Sequence, residues 1–316
     1  LKRHGGFVNI TQEEYDRLID ARDNVSATSI SFDFETMALR TGKSKKANIT
    51  FMPANTTNKS LTWETSDISV ATVENGVVTP KSEGKATITA TTNNGKSASC
   101  TVIVEENYEK LIADFNFNDS ATGLKGAGAK ATENGTAVYS DSFDEENGKA
   151  ISISSSNWLT VTKEDGSPLL KDLEEITISY YSKSTNTSSQ GWAFYAAPNT
   201  NTQIYQQEHY LGIMDRTTGV TVERYHNSGA RPGSNLTGSS SANWKHVELV
   251  ITEADTTLYI DGTLQDSRVS TYKLSDIVDS TGGIIQIGKG NWGSGEYFTG
   301  LIDNFKIYAQ DESQAE

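Results

Sequence analysis

Gly300-Leu-Ile-Asp-Asn-Phe-Lys-Ile-Tyr308 sets apolar side chains at alternate positions near the end of the chain, and Leu111-Ile-Ala-Asp-Phe-Asn-Phe-Asn-Asp119 does the same about two hundred residues earlier. A period of two is the signature of a half-buried strand. Between them lie more such runs: Ile176-Thr-Ile-Ser-Tyr-Tyr181, Gly191-Trp-Ala-Phe-Tyr195, Tyr210-Leu-Gly-Ile-Met214, Val220-Thr-Val-Glu-Arg-Tyr225, His246-Val-Glu-Leu-Val-Ile251, Thr257-Leu-Tyr-Ile-Asp-Gly262 and Ile284-Ile-Gln-Ile-Gly288. Ten or more strands without an internal repeat predict two large antiparallel sheets packed as a jelly-roll sandwich rather than a propeller.

Upstream, residues 26–105 hold shorter alternating runs broken by turn residues and predict about seven strands. In the last of them Cys100, Val102 and Val104 share one face, which makes the single cysteine a small buried hydrophobe. Thr11-Gln-Glu-Glu14 is a capping box, with Tyr15, Leu18 and Ile19 at helical spacing behind it, so a short helix is expected over residues 11–23. The expected layout is all-β: a helical segment (1–25) from a preceding region, a smaller β-sandwich (26–105), a larger jelly-roll sandwich (106–310) and an acidic tail (311–316).

At 316 residues and a formal net charge of −14, the chain has length for two cores and a field that repels phosphate backbones and anionic lipid surfaces. Nucleic acid is not expected as a partner. No apolar run approaches the length of a membrane span, so no membrane insertion is expected either. One cysteine excludes an internal disulfide framework, and the Thr, Ser, Asn and Gly richness suggests an extracellular or bacterial cell-surface location. The start Leu1-Lys-Arg-His-Gly-Gly has neither an initiator Met nor a signal sequence, so the chain reads as part of something longer.

Pro53-Ala-Asn-Thr-Thr-Asn-Lys-Ser-Leu-Thr-Trp63, Ser66-Asp-Ile-Ser-Val-Ala-Thr-Val73, Asn75-Gly-Val-Val78 and Gly84-Lys-Ala-Thr-Ile-Thr-Ala90 resemble the bacterial group 2 immunoglobulin-like family. Asn243-Trp-Lys-His-Val-Glu-Leu-Val250, Leu258-Tyr-Ile-Asp-Gly262 and the 300–308 run resemble the concanavalin A-like, laminin-G-type superfamily. The first resemblance implies a spacer or adhesive module. The second implies the fold and leaves open carbohydrate binding, glycoside hydrolysis, polysaccharide cleavage by a lyase, or a structural task.

No Glu-x-Asp-x-x-Glu string supplies a catalytic carboxylate pair on one strand, and Asp172-Leu-Glu-Glu175 and Asp144-Glu-Glu146 read as solvated acidic loops. Arg224, Tyr225 and His226 are adjacent, but alternation points Tyr225 away from the other two, which weakens a lyase-type cluster. Sugar binding requires an aromatic face against the C–H side of a ring and planar polar groups on its hydroxyls. The candidates are Trp292 in the glycine-rich loop, Trp192, Tyr205, Tyr225 and Arg224, with inter-sheet packing as the competing account of Trp192. A structural calcium is the expected cofactor, since no Cys/His cluster offers a zinc site and the superfamily resemblance implies Asp119 and Asp303 as its ligands. The expected whole is a monomeric, non-catalytic region that binds a polysaccharide or oligosaccharide and is joined to a catalytic domain. A surface adhesin or scaffold for a protein partner is the alternative, and a hydrolase or lyase on the jelly-roll fold a further one.

Overall fold

The computed structural model of the chain describes residues 11–15, 17, 25–143, 148–187, 190–198, 209–226, 236–239, 243–253, 255–269, 273–278, 283–291 and 296–310. Chain contacts divide it into two units, Leu1–Asn107 and Tyr108–Glu316. No helix among the described residues is long and apolar enough to cross a membrane. The capping box forms at the N-terminal helix: the Thr11 amide donates to Glu14 Oε2 at 2.8 Å and the Glu14 amide to Thr11 Oγ1 at 3.1 Å. Leu18 and Ile19 lie outside the described residues.

The first unit contains nine described strands: β1 (Ser29–Phe32), β2 (Thr36–Arg40), β3 (Lys45–Lys46), β4 (Ile49–Met52), β5 (Leu61–Thr65), β6 (Ala71–Glu74), β7 (Val77–Pro80), β8 (Gly84–Thr92) and β9 (Ser97–Glu105). A four-stranded sheet in the order β2-β9-β8-β5 accompanies a three-stranded one, β3-β7-β6, and the pair β1-β4. Alternation along β9 buries Cys100, Val102 and Val104 together with Met37, Leu39 and Ile88. Burial pushes the Cys100 thiol up to about 11, so it stays protonated and inert at neutral pH. Trp63 packs edge-on against Phe32 at 6.1 Å between centroids.

The second unit contains sixteen described strands: β10 (Glu109–Phe115), β11 (Lys125–Gly126), β12 (Ala129–Asn134), β13 (Val138–Asp141), β14 (Lys149–Ile153), β15 (Trp158–Lys163), β16 (Ile176–Ser184), β17 (Trp192–Ala197), β18 (His209–Arg216), β19 (Gly219–His226), β20 (Leu236–Gly238), β21 (Lys245–Ile251), β22 (Asp255–Ile260), β23 (Thr263–Val269), β24 (Ile284–Ile287) and β25 (Gly300–Gln310). They form two eight-stranded sheets. Sheet I runs β13-β14-β25-β16-β21-β22-β23, with β10 also paired to β25; sheet II runs β11-β12-β15-β24-β17-β18-β19-β20. The two runs that open and close this unit are thus antiparallel neighbours, Phe115 opposite Phe305.

One row of sheet II, read across the register, is Leu159, Ile287, Phe194, Ile213, Val222 and Leu236, all in the core between the sheets. From sheet I, Ile178, Tyr180, Val247, Leu249, Phe305 and Ile307 fill the same core. Residues one position away from the inner row of sheet II therefore face outward.

Candidate functional site

Shifting one residue along each strand of sheet II gives the outward row Thr132, Thr160, Gln286, Tyr195, Gly212 and Glu223. A parallel outward row places Tyr210 opposite Tyr225. Trp192 joins this face because β17 carries a bulge between Trp192 and Phe194, which turns Ala193 and Phe194 both into the core and Trp192 out. Two glycines make room for its indole: a Cβ on Gly212 would lie 2.1 Å from Trp192 Cζ3, and one on Gly290 2.3 Å from Cδ1.

The rings meet in sequence. Trp192 lies edge-on to Tyr195 at 5.7 Å and to Tyr210 at 5.8 Å, Tyr195 and Tyr210 stack at 5.8 Å, and Tyr210 reaches Tyr225 at 5.2 Å. Trp192, Tyr195 and Tyr210 are buried, while Tyr225 is half-buried at the margin. Next to Thr160 on the same face, Lys289 Nζ sits 4.2 Å from the Trp158 ring centroid and 5.6 Å from that of Tyr297, a cation held over aromatic faces.

Two carboxylates are set into this aromatic face. The Tyr210 hydroxyl donates to Glu223, and the Trp192 indole N–H donates to Glu296. Burial raises the Glu296 carboxyl above its ordinary range, the Trp192 bond opposes that shift, and the charge of Glu223 adds to it. Burial also lowers the Lys289 ammonium. Gln286 is 5% exposed, and its side-chain oxygen has no hydrogen-bond partner among the described residues. This largely buried face gathers aromatic rings, two carboxylates, an amide oxygen without a hydrogen-bond partner among the described residues and an ammonium, the kinds of group that meet the apolar and hydroxyl sides of a sugar.

Residues 154–316 match the family model of the concanavalin A-like lectin/glucanases superfamily, just over half of the chain. The chain belongs to that superfamily. Residues 26–102 match the bacterial Ig-like domain (group 2), so an Ig-like module precedes the concanavalin A-like one. Two of the curated relatives are enzymes. An A type blood N-acetyl-α-D-galactosamine deacetylase of Flavonifractor plautii is 36% identical over 103 residues, 32% of this chain and 13% of that one. An α-L-arabinofuranosidase of Bifidobacterium longum is 37% identical over 112 residues, 33% of this chain and 10% of that one. The matched segments thus span a small part of those relatives' own lengths. Among solved structures, domain 4 of AbnA, an extracellular arabinanase from Geobacillus stearothermophilus, in complex with arabinotriose, is similar at 18% identity and a TM-score of 0.47, over 66% of this chain and 97% of that one.

Of the residues named from sequence, the concanavalin A-like unit brings Trp192 and Tyr225 together on one face. Trp192 is not inter-sheet filling, although at 2% exposure it forms the floor of the face rather than a free platform. Trp292 and Tyr205 lie outside the described residues. Arg224 is set apart from the others. It ends the inward row Val161, Ile285, Ala196, Leu211, Arg224, where its Nη1 donates to the carbonyls of Thr252 and Asp255 and to Thr256 Oγ1 at 3.0–3.2 Å. Desolvation lowers its guanidinium to about 10, and with 1% exposure it joins the two sheets instead of meeting a ligand on the outer face.

The two aspartates expected to share a calcium have other partners. Both Asp119 oxygens are occupied by their own turn, accepting from the Ala121 and Thr122 amides and the Thr122 hydroxyl at 2.7 Å each, which holds its carboxyl below the usual range. Asp303 is buried, accepts from the Ser142 hydroxyl, and has its carboxyl raised by burial. Among the described residues, no group of three or more His, Cys, Asp or Glu side chains is gathered to hold a metal. A shared calcium would need six to eight oxygens, so further donors beside these two carboxylates. Sequence reasoning missed Glu223, Glu296, Gln286, Trp158 and Lys289; the outward parity of Gln286 and Glu223 was the available signal.

Proposed function

We propose that the concanavalin A-like unit binds a polysaccharide or oligosaccharide on the outer face of sheet II, and that the chain is a targeting region of a polysaccharide-active enzyme working outside the bacterial cell. The observation that carries this is the row Gln286, Tyr195, Gly212, Glu223, with Trp192 seated over its glycine and the Gln286 side-chain oxygen without a hydrogen-bond partner among the described residues. Superfamily membership and the two curated relatives, both named as carbohydrate-active enzymes, support the reading. A weak individual contact suffices for targeting, because tethering raises the effective concentration of a catalytic partner at its glycan. Plant cell-wall glycans are the first candidates and host mucin-type glycans the second. A glycan-array screen of the chain, followed by calorimetry on each hit and on its Gln286→Ala and Tyr225→Ala variants, tests the proposal.

One observation favours a second reading, that the unit is itself a glycoside hydrolase: Glu223 and Glu296 interact on one face, and Glu296 is shifted toward the protonated form a general acid needs. Turnover of a bound glycan that disappears in both Glu223→Gln and Glu296→Gln would establish it. Binding without turnover leaves the targeting reading.

A further inference from the structure

At the inner end of β18, away from the outer face, Asp215 meets Lys245 of β21, so the contact joins sheet II to sheet I. Lys245 Nζ lies 2.7 Å from Asp215 Oδ1, with the two side chains 1% and 0% exposed. Among the described residues, neither Nζ nor Oδ1 has another polar partner. Oδ2, by contrast, accepts from Ser182 Oγ at 2.6 Å, and the Tyr180 hydroxyl also faces this carboxylate. The Asp215 backbone is fixed as well: its amide donates to the Gly191 carbonyl at 2.9 Å and its carbonyl accepts from Ser184 Oγ at 3.0 Å. An ammonium with one partner, wholly removed from water, is an expensive way to join two sheets, since the remaining N–H donors go unsatisfied.

We propose that Lys245 and Asp215 condense to an amide cross-link between Nζ and Cγ, locking the two sheets of the sandwich together covalently. The ammonium first gives a proton to Oδ1, leaving an amine and a carboxylic acid. The nitrogen lone pair then forms the bond to Cγ. Negative charge develops on Oδ2, where the Ser182 hydroxyl stands to receive it. A second proton passes from nitrogen to Oδ1, the Cγ–Oδ1 bond breaks, and Oδ1 departs as water. One N–H remains on the amide and Oδ2 becomes its carbonyl oxygen, so ammonium and carboxylate give amide and water with no other reactant. The asymmetry of the site selects the leaving oxygen, because among the described residues a hydroxyl donates to Oδ2 and none to Oδ1. Reacting groups held in contact at this range gain the rate advantage of an intramolecular pair.

The test is the intact mass of the purified 316-residue chain under denaturing conditions, followed by a tryptic map. The expected result is a mass lower by one water, with the peptide holding Asp215 joined to the peptide holding Lys245 and no cleavage after Lys245. Ser182→Ala should accumulate the cross-linked species more slowly after synthesis, and Lys245→Met should show its full calculated mass. A wild-type chain at full mass after prolonged incubation, or a water lost elsewhere on the map, would overturn the proposal whether or not any variant folds.

Discussion

The indole N–H of Trp192 donates to the carboxylate of Glu296, tying the first residue of β17 to the residue that follows the glycine-rich loop. The same two segments also touch through their backbones, where Trp192 bridges to Tyr297. Gly212 beneath the indole and Gly290 beside it make that position possible. The orientation of the whole aromatic face therefore depends on two residues that have no side chain.

Gly212→Ala tests that dependence. Its backbone conformation suits alanine, so the effect comes from the new methyl meeting Trp192. Overpacking of this kind costs about 1–3 kcal/mol. The expected outcome is a lowered melting temperature, a changed tryptophan emission spectrum and weaker glycan binding, measured by thermal denaturation, fluorescence and calorimetry.

Glu296 sets a pH dependence with a definite sign. Burial raises its carboxyl in the folded state, so the folded protein holds this proton more tightly than the unfolded chain does. Its contribution to stability is then best at low pH and is lost as pH rises from about the ordinary carboxylate range through the raised value. Glu296→Gln should flatten that part of the melting-temperature profile between acidic and neutral pH. A variant profile parallel to the wild type would contradict the assignment.

Arg224 should behave as a structural residue. Arg224→Ala strips the donors from the Thr252 and Asp255 carbonyls and the Thr256 hydroxyl, at a cost of about 2–4 kcal/mol. Denaturant unfolding should show that loss, while calorimetry below the transition should return wild-type glycan affinity. Weakened binding by fully folded variant would return Arg224 to the ligand site.

Cys100 reports on the first unit. With its thiol buried and pushed up to about 11, alkylation by iodoacetamide at neutral pH should proceed only as fast as the Ig-like unit opens. Mass spectrometry of modified protein along a denaturant series should track unfolding of that unit alone.

Both sandwiches were legible from alternation, because a period of two survives wherever one strand face is buried, as in Cys100, Val102 and Val104. Alternation also separated Arg224 from Tyr225 correctly. It could not say which of them faced the core, since the inward row is defined by partners on other strands. Trp192 was ambiguous for a different reason: a one-residue bulge reverses parity within β17 and leaves no mark in the local pattern. The carboxylates of Glu223 and Glu296 come from segments far apart in the chain, so a search for same-strand pairs passed over them. Alternation likewise could not foresee the hydrogen-bond partners of Asp119 and Asp303, which are the Thr122 and Ser142 hydroxyls.

The most direct test of the account is calorimetry of the chain against its best glycan, comparing Gln286→Ala and Tyr225→Ala with Trp244→Ala. Trp244 packs against Phe143, which stacks on Tyr181 of sheet I, and so serves as an aromatic control on the other sheet. Binding on the outer face of sheet II predicts at least about tenfold weaker affinity, roughly 1.4 kcal/mol, in the first two variants and wild-type affinity in the third. Affinity lost only in Trp244→Ala, or no binding to any plant or host glycan, would contradict it.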